Sequence, residues 1–460
     1  MPAAAPPLRF KDQADVRRHV ESADVPHVKV GFTDIDGVLR GKYISREKFL
    51  SVLPKNFGFC DVVVGWDSND QLYDNVTYTG WHTAYPDAMA RVVPETGRAM
   101  PFEKDVPFFL AELIGKAEAI CPRGLLRRAL AKADALGFKV SAAFEYEFFV
   151  FAETPDSVRA KGYRDLQPLT PGYFGYSVLR SSVHAELYDE LLSMCRAMDM
   201  PLEGLHTETG PGVVEAAIAV DDALRAADKA VLFKTFTKVL AQRRGLMATF
   251  MAKWSNNWPG QSGHIHLSLR DNADDKSAFY AEAGAHNISD TMRHFIGGQQ
   301  KLMPAILAMV SSTVNSYSRL VPGYWAPTSA TWGIENRTAA LRAIPGSAAS
   351  QRVEYRIAAA DANPYIALAA ALGSGLWGIE NRIEPTEAVT GNAYALPAKP
   401  DSALPGTLWE AAQRLRASQE ARQLFGDEFV DHFAATREWE EREFRKHVTD
   451  WELARYFEII

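Results

Sequence analysis

Five glutamates and one histidine lie in apolar, strand-like segments, where charge is costly to bury without a partner. Glu145 and Glu147 occur in Phe144-Glu145-Tyr146-Glu147-Phe148, and Glu208 and Glu215 flank Gly210-Pro211-Gly212. His264 sits in Gly263-His264-Ile265-His266-Leu267-Ser268, and Glu354 in Arg352-Val353-Glu354-Tyr355-Arg356. Each motif alone is weak. Alternating charge is usual on a solvated strand face, structural histidines are common, and Glu354 between two arginines also reads as a salt-bridge ladder. Together, carboxylate oxygens with a single imidazole form a donor set for Mg²⁺ or Mn²⁺, not zinc.

The basic residues point to the substrate. Arg319, Arg337, Arg342, Arg352 and Arg356 fall within one short stretch rich in small residues. Arginine forks bind carboxylates and phosphates bidentately. Carboxylate-held metals with such a set suggest phosphoryl transfer involving an acidic substrate. There is no Gly-x-x-x-x-Gly-Lys loop, and Gly210-Pro211-Gly212 lacks the rest of a dinucleotide fingerprint. A nucleotide is therefore expected to be held mainly through metals and arginines.

These side chains need a scaffold. Lys139 to Phe151 reads as a strand with Val140, Ala142, Phe144, Tyr146 and Phe148 on one face. Glu145 and Glu147 then share the other face, roughly 7 Å apart. The same parity groups His264, His266 and Ser268, and groups Arg352, Glu354 and Arg356; it also sets Glu215 opposite Val214 and Ala216. Four strands thus offer polar stripes to one cleft on a curved sheet.

Upstream, Val28 to Arg40 reads as a hairpin with an Asp36-Gly37 turn. Pro101 to Pro107 suggests a linker, followed by an amphipathic helix from Pro122 that Gly137 ends. Ala362 to Ile379 is uncharged and, at 18 residues, barely long enough to span a membrane. Its Asn, Pro and Gly residues favour a buried helix starting near Pro364. From Thr407 onward the pattern is amphipathic helix with many solvated charges.

The 460 residues favour two domains over one, and 47% hydrophobic with 23% charged residues is ordinary for a soluble globular chain. A net charge of -7 without a basic tract argues against nucleic acid as a partner. Cys60, Cys121 and Cys195 are too scattered for a disulfide framework or zinc site and suggest a reducing compartment. Met1 to Pro7 does not read as a signal peptide, so a cytoplasmic protein is expected.

The chain resembles the glutamine synthetase family, specifically the bacterial dodecameric type and its γ-glutamyl-amine ligase relatives. The resemblance runs over nearly the whole chain. Its most specific pieces are Ser316-Tyr317-Ser318-Arg319-Leu320-Val321-Pro322-Gly323-Tyr324, Asn336-Arg337-Thr338-Ala339-Ala340-Leu341-Arg342, and Glu354-Tyr355-Arg356 followed by Asp361-Ala362-Asn363-Pro364-Tyr365. It implies an α+β fold: a small N-terminal β-grasp domain over residues 1–115 and a catalytic domain over 116–460, with a curved antiparallel sheet and helices. It implies two metal sites, Glu147, Glu208 and Glu215 nearer glutamate, and Glu145, His264 and Glu354 nearer the ATP phosphates. Two or three Mg²⁺ or Mn²⁺ ions per site are expected. Arg319 and Arg356 match arginines that bind the substrate carboxylate and the transferring phosphate, and Arg337 and Arg342 match phosphate-side arginines. Ser268 and Arg352 match nucleotide contacts, with His266 close by. Asp67 falls where the family has an aspartate that binds ammonium from a neighbouring subunit. That implies a ring oligomer, a dodecamer of two hexamers with active sites shared between subunits.

The implied reaction activates glutamate as γ-glutamyl phosphate with ATP, then transfers the glutamyl group to nitrogen. One departure bears on the acceptor. Glutamine synthetases carry Gly-Tyr-Glu-Ala-Pro on a flap, whose glutamate closes the ammonium pocket; here the segment is Gly323-Tyr324-Trp325-Ala326-Pro327. Tryptophan supplies an apolar wall or a cation–π face, and Trp66 beside Asp67 adds a second aromatic. A primary organic amine is expected in place of ammonia. The alternative is that another carboxylate, Asp67 or Asp70, serves ammonia. The remote alternative is an inactive ring-forming homologue, although no metal ligand is lost. Gly260-Gln261-Ser262-Gly263 is one residue shorter than usual, which leaves its contacts unassigned. Tyr394, where some relatives are adenylylated, reads as structural.

Overall fold

A computed structural model describes residues 8–23, 25–103, 106–397 and 399–460; Met1 to Pro7 lie outside the described residues. Two sheets organise the chain. The first is six-stranded and mixed. Its order is Leu39–Ser45, His27–Thr33, Pro107–Leu113, Asp87–Val92 and Phe57–Cys60, with Arg98–Ala99 also paired to Pro107–Leu113. The expected hairpin forms, with Val30 opposite Lys42 and Gly37 at φ 83° in the turn. The linker expected at Pro101 to Pro107 is corrected: Pro107 opens a fully buried strand that pairs parallel with His27–Thr33 at the sheet's centre. A proline at a strand's first residue costs no ladder hydrogen bond, so it does not mark a linker. Lys104 and Asp105 of that stretch lie outside the described residues.

The second sheet has nine strands, in the order Trp332–Ile334, Leu341–Ile344, Arg352–Tyr355, Gly263–Asp271, Phe138–Phe151, Val213–Ile218 and Leu202–Thr207. Asp221–Asp222 and Met247–Thr249 also pair with the long Phe138–Phe151 strand. All pairings are antiparallel except the edge pair Trp332–Ile334 with Leu341–Ile344. The α+β architecture with curved sheets matches the sequence-based expectation.

The long strand alternates as its sequence demands. Phe144, Tyr146 and Phe148 are buried, while Glu145 and Glu147 are half-buried on the opposite face. Tyr146 stacks on Phe144 at 5.7 Å and on Phe233 at 6.2 Å, and Phe148 stacks on Phe250 at 5.1 Å. Phe233 comes from the helix Ala223–Arg243, which covers this face. The Pro364–Glu380 helix is buried, with Asn363 as its N-cap and Pro364 in its first turn. A Cβ on its Gly378 would lie 2.6 Å from the Cα of Gly298, so glycine lets it pack backbone-to-backbone on Asp290–Ile306. Among the described residues no helix is long and apolar enough to cross a membrane.

Polar groups tie the two sheets together. Asn363 Nδ2 donates to the carbonyls of Asp34 and Ile35 at 3.0 and 3.3 Å. Arg123 bridges Glu112, at 2.8 Å, and Asp228, at 2.9 Å. The tail from Thr407 is helical as expected, but not every charge in it is solvated: Arg437 is 1% exposed. It donates to Asp36 at 2.5 Å, to the Ser312 carbonyl at 2.6 Å and to Glu440 at 3.2 Å. Removing one partner of a buried ion network strands the others. Arg437→Leu is therefore expected to cost about 3–5 kcal/mol of stability, read as a lower urea midpoint. An unchanged midpoint would show that this network does not hold the sheets together.

A candidate active site of opposed carboxylates and arginines

Strand parity selects the face, and register then selects neighbours. His264 stands opposite Glu145, and His266 opposite Glu354. Glu354 stands opposite Arg342 on its other side. Across the sheet, Glu147 faces Glu215, which in turn faces His206. Directly opposed side chains lie about 5 Å apart at Cβ, so six strands feed one polar row.

On one side of the row, His264 Nδ1 lies 3.5 Å from Glu145 Oε2 and 3.4 Å from Glu354 Oε1. His266 Nδ1 accepts from Arg352 Nε at 3.2 Å, which places its proton on Nε2, 3.2 Å from Glu145 Oε2. Side-chain atoms of Glu145, His266 and Glu354 lie within 4.8 Å of one another, and in this tautomer His266 reaches Glu145 as a hydrogen-bond donor. Burial opposes the charge on Glu354, but Arg356, the two histidines and Arg342 hold its carboxyl down at about 2. Burial likewise opposes the charge on Glu145, and hydrogen bonds from His264 and His266 hold its carboxyl well below the usual range.

The other side is less balanced. Glu147 Oε2 accepts from the Ser262 backbone N–H and hydroxyl, both at 2.6 Å. Glu215 is pushed up to about 8 by burial, reinforced by the charges of Glu147 and Glu145 and opposed by His206. His206 Nε2 lies 3.4 Å from Glu215 and its Nδ1 3.8 Å from Glu208. Glu208 Oε2 is buried without a hydrogen-bond partner. Like charges opposed across strands repel, and an orphaned buried carboxylate oxygen is costly. A divalent cation fits both features, because hard oxygen donors outnumber imidazoles here.

The arginines face this row. Arg319 is buried, and its two Nη atoms donate to the Ile357 and Arg356 carbonyls at 3.0 and 3.1 Å. Burial lowers it to about 10, still cationic at neutral pH. Arg356 donates to Glu354, and its Nε is buried without a partner. Arg342 is shared between Glu354 and Glu335, at 2.9 Å from each. Arg337 is exposed at the rim.

Two cavities meet at Glu145. One, of about 400 Å³, is lined by Glu145, Glu147, Glu208, Glu215, His264 and Glu354, and by Arg319, Arg337, Arg342, Arg356 and Trp325. The other, of about 340 Å³, is lined by Glu145, His266, Ser268 and Arg352. The expected metal ligands thus converge, and the expected nucleotide contacts His266, Ser268 and Arg352 gather next door, while Arg342 stays with the first cavity.

Trp66 and Asp67 line neither cavity of their own chain. The Asp67 carboxylate accepts from the Asn69 and Gln71 backbone at 2.9 and 2.8 Å, and the Arg40 guanidinium lies over the Trp66 ring at 5.0 Å. Asp70 pairs with Arg40 at 2.6 Å. The Tyr394 hydroxyl is buried without a partner.

Several residues escaped the sequence reading. His206 shares strand parity with Glu208, a His-x-Glu signal obscured because Leu202–Thr207 did not read as a strand. Tyr176 stacks on His206 at 4.3 Å and lines the larger cavity. Gly260 gives the short glycine stretch a purpose: a Cβ there would lie 2.6 Å from Arg319 Cγ and 2.7 Å from the Ala252 carbonyl.

A cation bound only by the native state raises stability, by about 2.7 kcal/mol at a hundred times its dissociation constant. Mg²⁺ or Mn²⁺ is expected to raise the melting midpoint of the parent, and Glu208→Gln and Glu215→Gln are expected to blunt that rise. Equal rises in all three proteins would remove these carboxylates as ligands.

Comparison with known proteins accords with this geometry. Residues 119–456 match the glutamine synthetase catalytic domain. The chain is 44% identical to type-1 glutamine synthetase 2 of Dictyostelium discoideum, over 97% of this chain and 86% of that one. It is 37% identical to a glutamate–isopropylamine ligase of a Pseudomonas species, over 97% and 98%. It is 35% identical to a γ-glutamylethanolamide synthetase of Streptomyces coelicolor, over 98% and 96%. Among solved structures, GmaS in complex with ADP superposes with a TM-score of 0.83 at 26% identity, over 96% and 99% of the two chains. The chain belongs to the glutamine synthetase family, and is a carbon–nitrogen ligase of the kind that couples ATP and divalent metals to amide formation.

Proposed function

We propose that the protein joins the γ-carboxylate of L-glutamate to a primary organic amine, giving a γ-glutamylamide, ADP and phosphate. The observation that carries this reading is Trp325. It lines the cavity that holds the acidic row, at the flap position where glutamine synthetases carry glutamate. The carboxylates of that cavity, Glu145, Glu147, Glu208, Glu215 and Glu354, lie on the sheet strands or just past the end of one, and none lies on the flap. An ammonium ion would find no carboxylate on the flap, whereas an alkylammonium gains an apolar wall and a cation–π face. The names of the Pseudomonas and Streptomyces relatives support an organic amine. The name of the Dictyostelium relative supports a second reading, in which ammonia is the acceptor.

Each residue then has a task. Arg319, clamped by two carbonyls, orients the substrate carboxylate, and Arg356, with a free buried Nε, receives the transferring phosphoryl group. Arg337 and Arg342 neutralise phosphate oxygens from the rim. Ser268, His266 and Arg352 hold the nucleotide in the adjoining cavity. Mg²⁺ or Mn²⁺ held by Glu147, Glu208 and Glu215 and by Glu145, His264 and Glu354 would neutralise charge on the phosphates. A γ-carboxylate oxygen attacks the γ-phosphorus, and the bond to ADP breaks. The bound alkylammonium gives up one proton, the freed amine nitrogen attacks the resulting acyl carbon, phosphate departs with the C–O electron pair, and nitrogen loses a second proton. Asp67 of a neighbouring subunit in a dodecameric ring would complete the acceptor pocket. Residues 1–115 would form the domain that carries it, and 116–460 the catalytic domain.

Phosphate release with glutamate, ATP and a panel of ammonia, methylamine, ethanolamine, isopropylamine, putrescine and aniline tests the reading. An organic amine is expected to give the highest kcat/KM, and Trp325→Glu is expected to raise ammonia use. Ammonia as the best acceptor would refute it. Gly260→Ala is expected to lower kcat/KM for glutamate about a hundredfold, because displacing Arg319 by an ångström spoils alignment. Parent-like kinetics would show that Arg319 does not orient glutamate.

A further inference from the structure

Trp325 is a partition between two cavities. Behind it, away from the acidic row, lies an open basin of about 660 Å³ that shares only Trp325 and Arg337 with the catalytic cavity. Its floor is apolar, built from Ile334, Ala388 and Val389. Trp325 itself is 56% exposed and sits at φ 60°. A bulky residue in the left-handed region is costly and persists where its surroundings over-determine it. Glu335 and His286, on the same basin, also lie at φ 50° and 55°.

The polar groups of the basin are mostly spent on its own wall. Asn336 Nδ2 donates to the carbonyls of Val389 and Gly391 at 3.0 and 2.9 Å, and its Oδ1 accepts from Thr338 N at 2.9 Å. Thr338 Oγ1 accepts from Ala393 N at 2.9 Å. Glu335, the basin's carboxylate, is engaged by Arg342. The remaining ionisable groups, Arg337 and His286, are of the basic kind. A second ammonium would have to compete with Arg342 for Glu335, the carboxylate on this basin, whereas an apolar chain finds Ile334, Ala388 and Val389.

We propose that this basin receives the organic tail of the acceptor, so that the acceptor is a primary monoamine with an apolar chain of several carbons. The amino end passes Trp325 to reach the activated carboxyl, and the tail lies on Ile334, Ala388 and Val389. This rests on the amine-ligase reading above and adds to it the substrate class.

The test is kcat/KM at saturating glutamate and ATP for methylamine, butylamine, hexylamine, 1,6-diaminohexane and 6-aminohexanoate. Each buried methylene is worth about a fourfold gain, so hexylamine is expected to exceed methylamine at least about tenfold. Val389→Phe fills the basin and is expected to lower the hexylamine-to-methylamine ratio about tenfold or more. Ala388→Leu does the same with less bulk, should the phenylalanine variant fail to fold. Methylamine outperforming the longer amines, with a ratio that neither variant changes, overturns the tail site and leaves the amine ligase standing. The diamine or the amino acid outperforming hexylamine overturns the apolar tail. Turnover with ammonia but with no organic amine overturns the underlying reading itself.

Discussion

The antiparallel register of Phe138–Phe151 against its two neighbours is the constraint on which the cleft depends. Side-chain parity is two, so a slip of one residue would turn Glu145 and Glu147 into the core. The opposite face forbids that slip. Tyr146 and Phe148 are packed against Phe233 and Phe250, Phe144 stacks on Tyr146, and exchanging them for glutamates would bury charge where nothing can pair it. The aromatic face is thus what aims the acidic face.

That arrangement gathers like charge. Glu147 opposes Glu215, and Glu208 has a buried oxygen with no partner. Two buried arginines, two histidines and the Ser262 donors offset part of the repulsion. The remainder is the affinity left for cations, as expected of a family that works with divalent metals. Local strain follows the same logic: Gly260 stays bare because Arg319 must pass within reach of its backbone. Away from the cleft, Arg437 and Asn363 hold the six-stranded sheet against the nine-stranded one, so the Asp36-Gly37 turn packs against interior residues of the larger unit.

Charged and aromatic surfaces occupy different walls of the cavity. The sheet carries charge, and the flap carries Trp325, which belongs to both the catalytic cavity and the basin behind it. A residue on a partition can alter what enters without touching the phosphoryl-transfer groups.

The acidic set, the arginines, the polar faces of their strands and the buried Pro364–Glu380 helix were legible in the sequence, because period-two and period-3.6 patterns are local. Resemblance to a family added the flap substitution. His206 and Tyr176 were not legible, since their place depends on a strand and a loop brought together across the sheet: the Tyr176 N–H donates to the Thr207 carbonyl at 2.7 Å. Nor was Pro107, whose strand pairs with His27–Thr33 about eighty residues away in sequence. The sequence by itself determined which side chains share a face. Only the tertiary structure decided which faces meet, that Glu145 separates two cavities, and that Trp325 separates one of these from a third, because register and long-range packing are set by contacts between segments far apart in the chain.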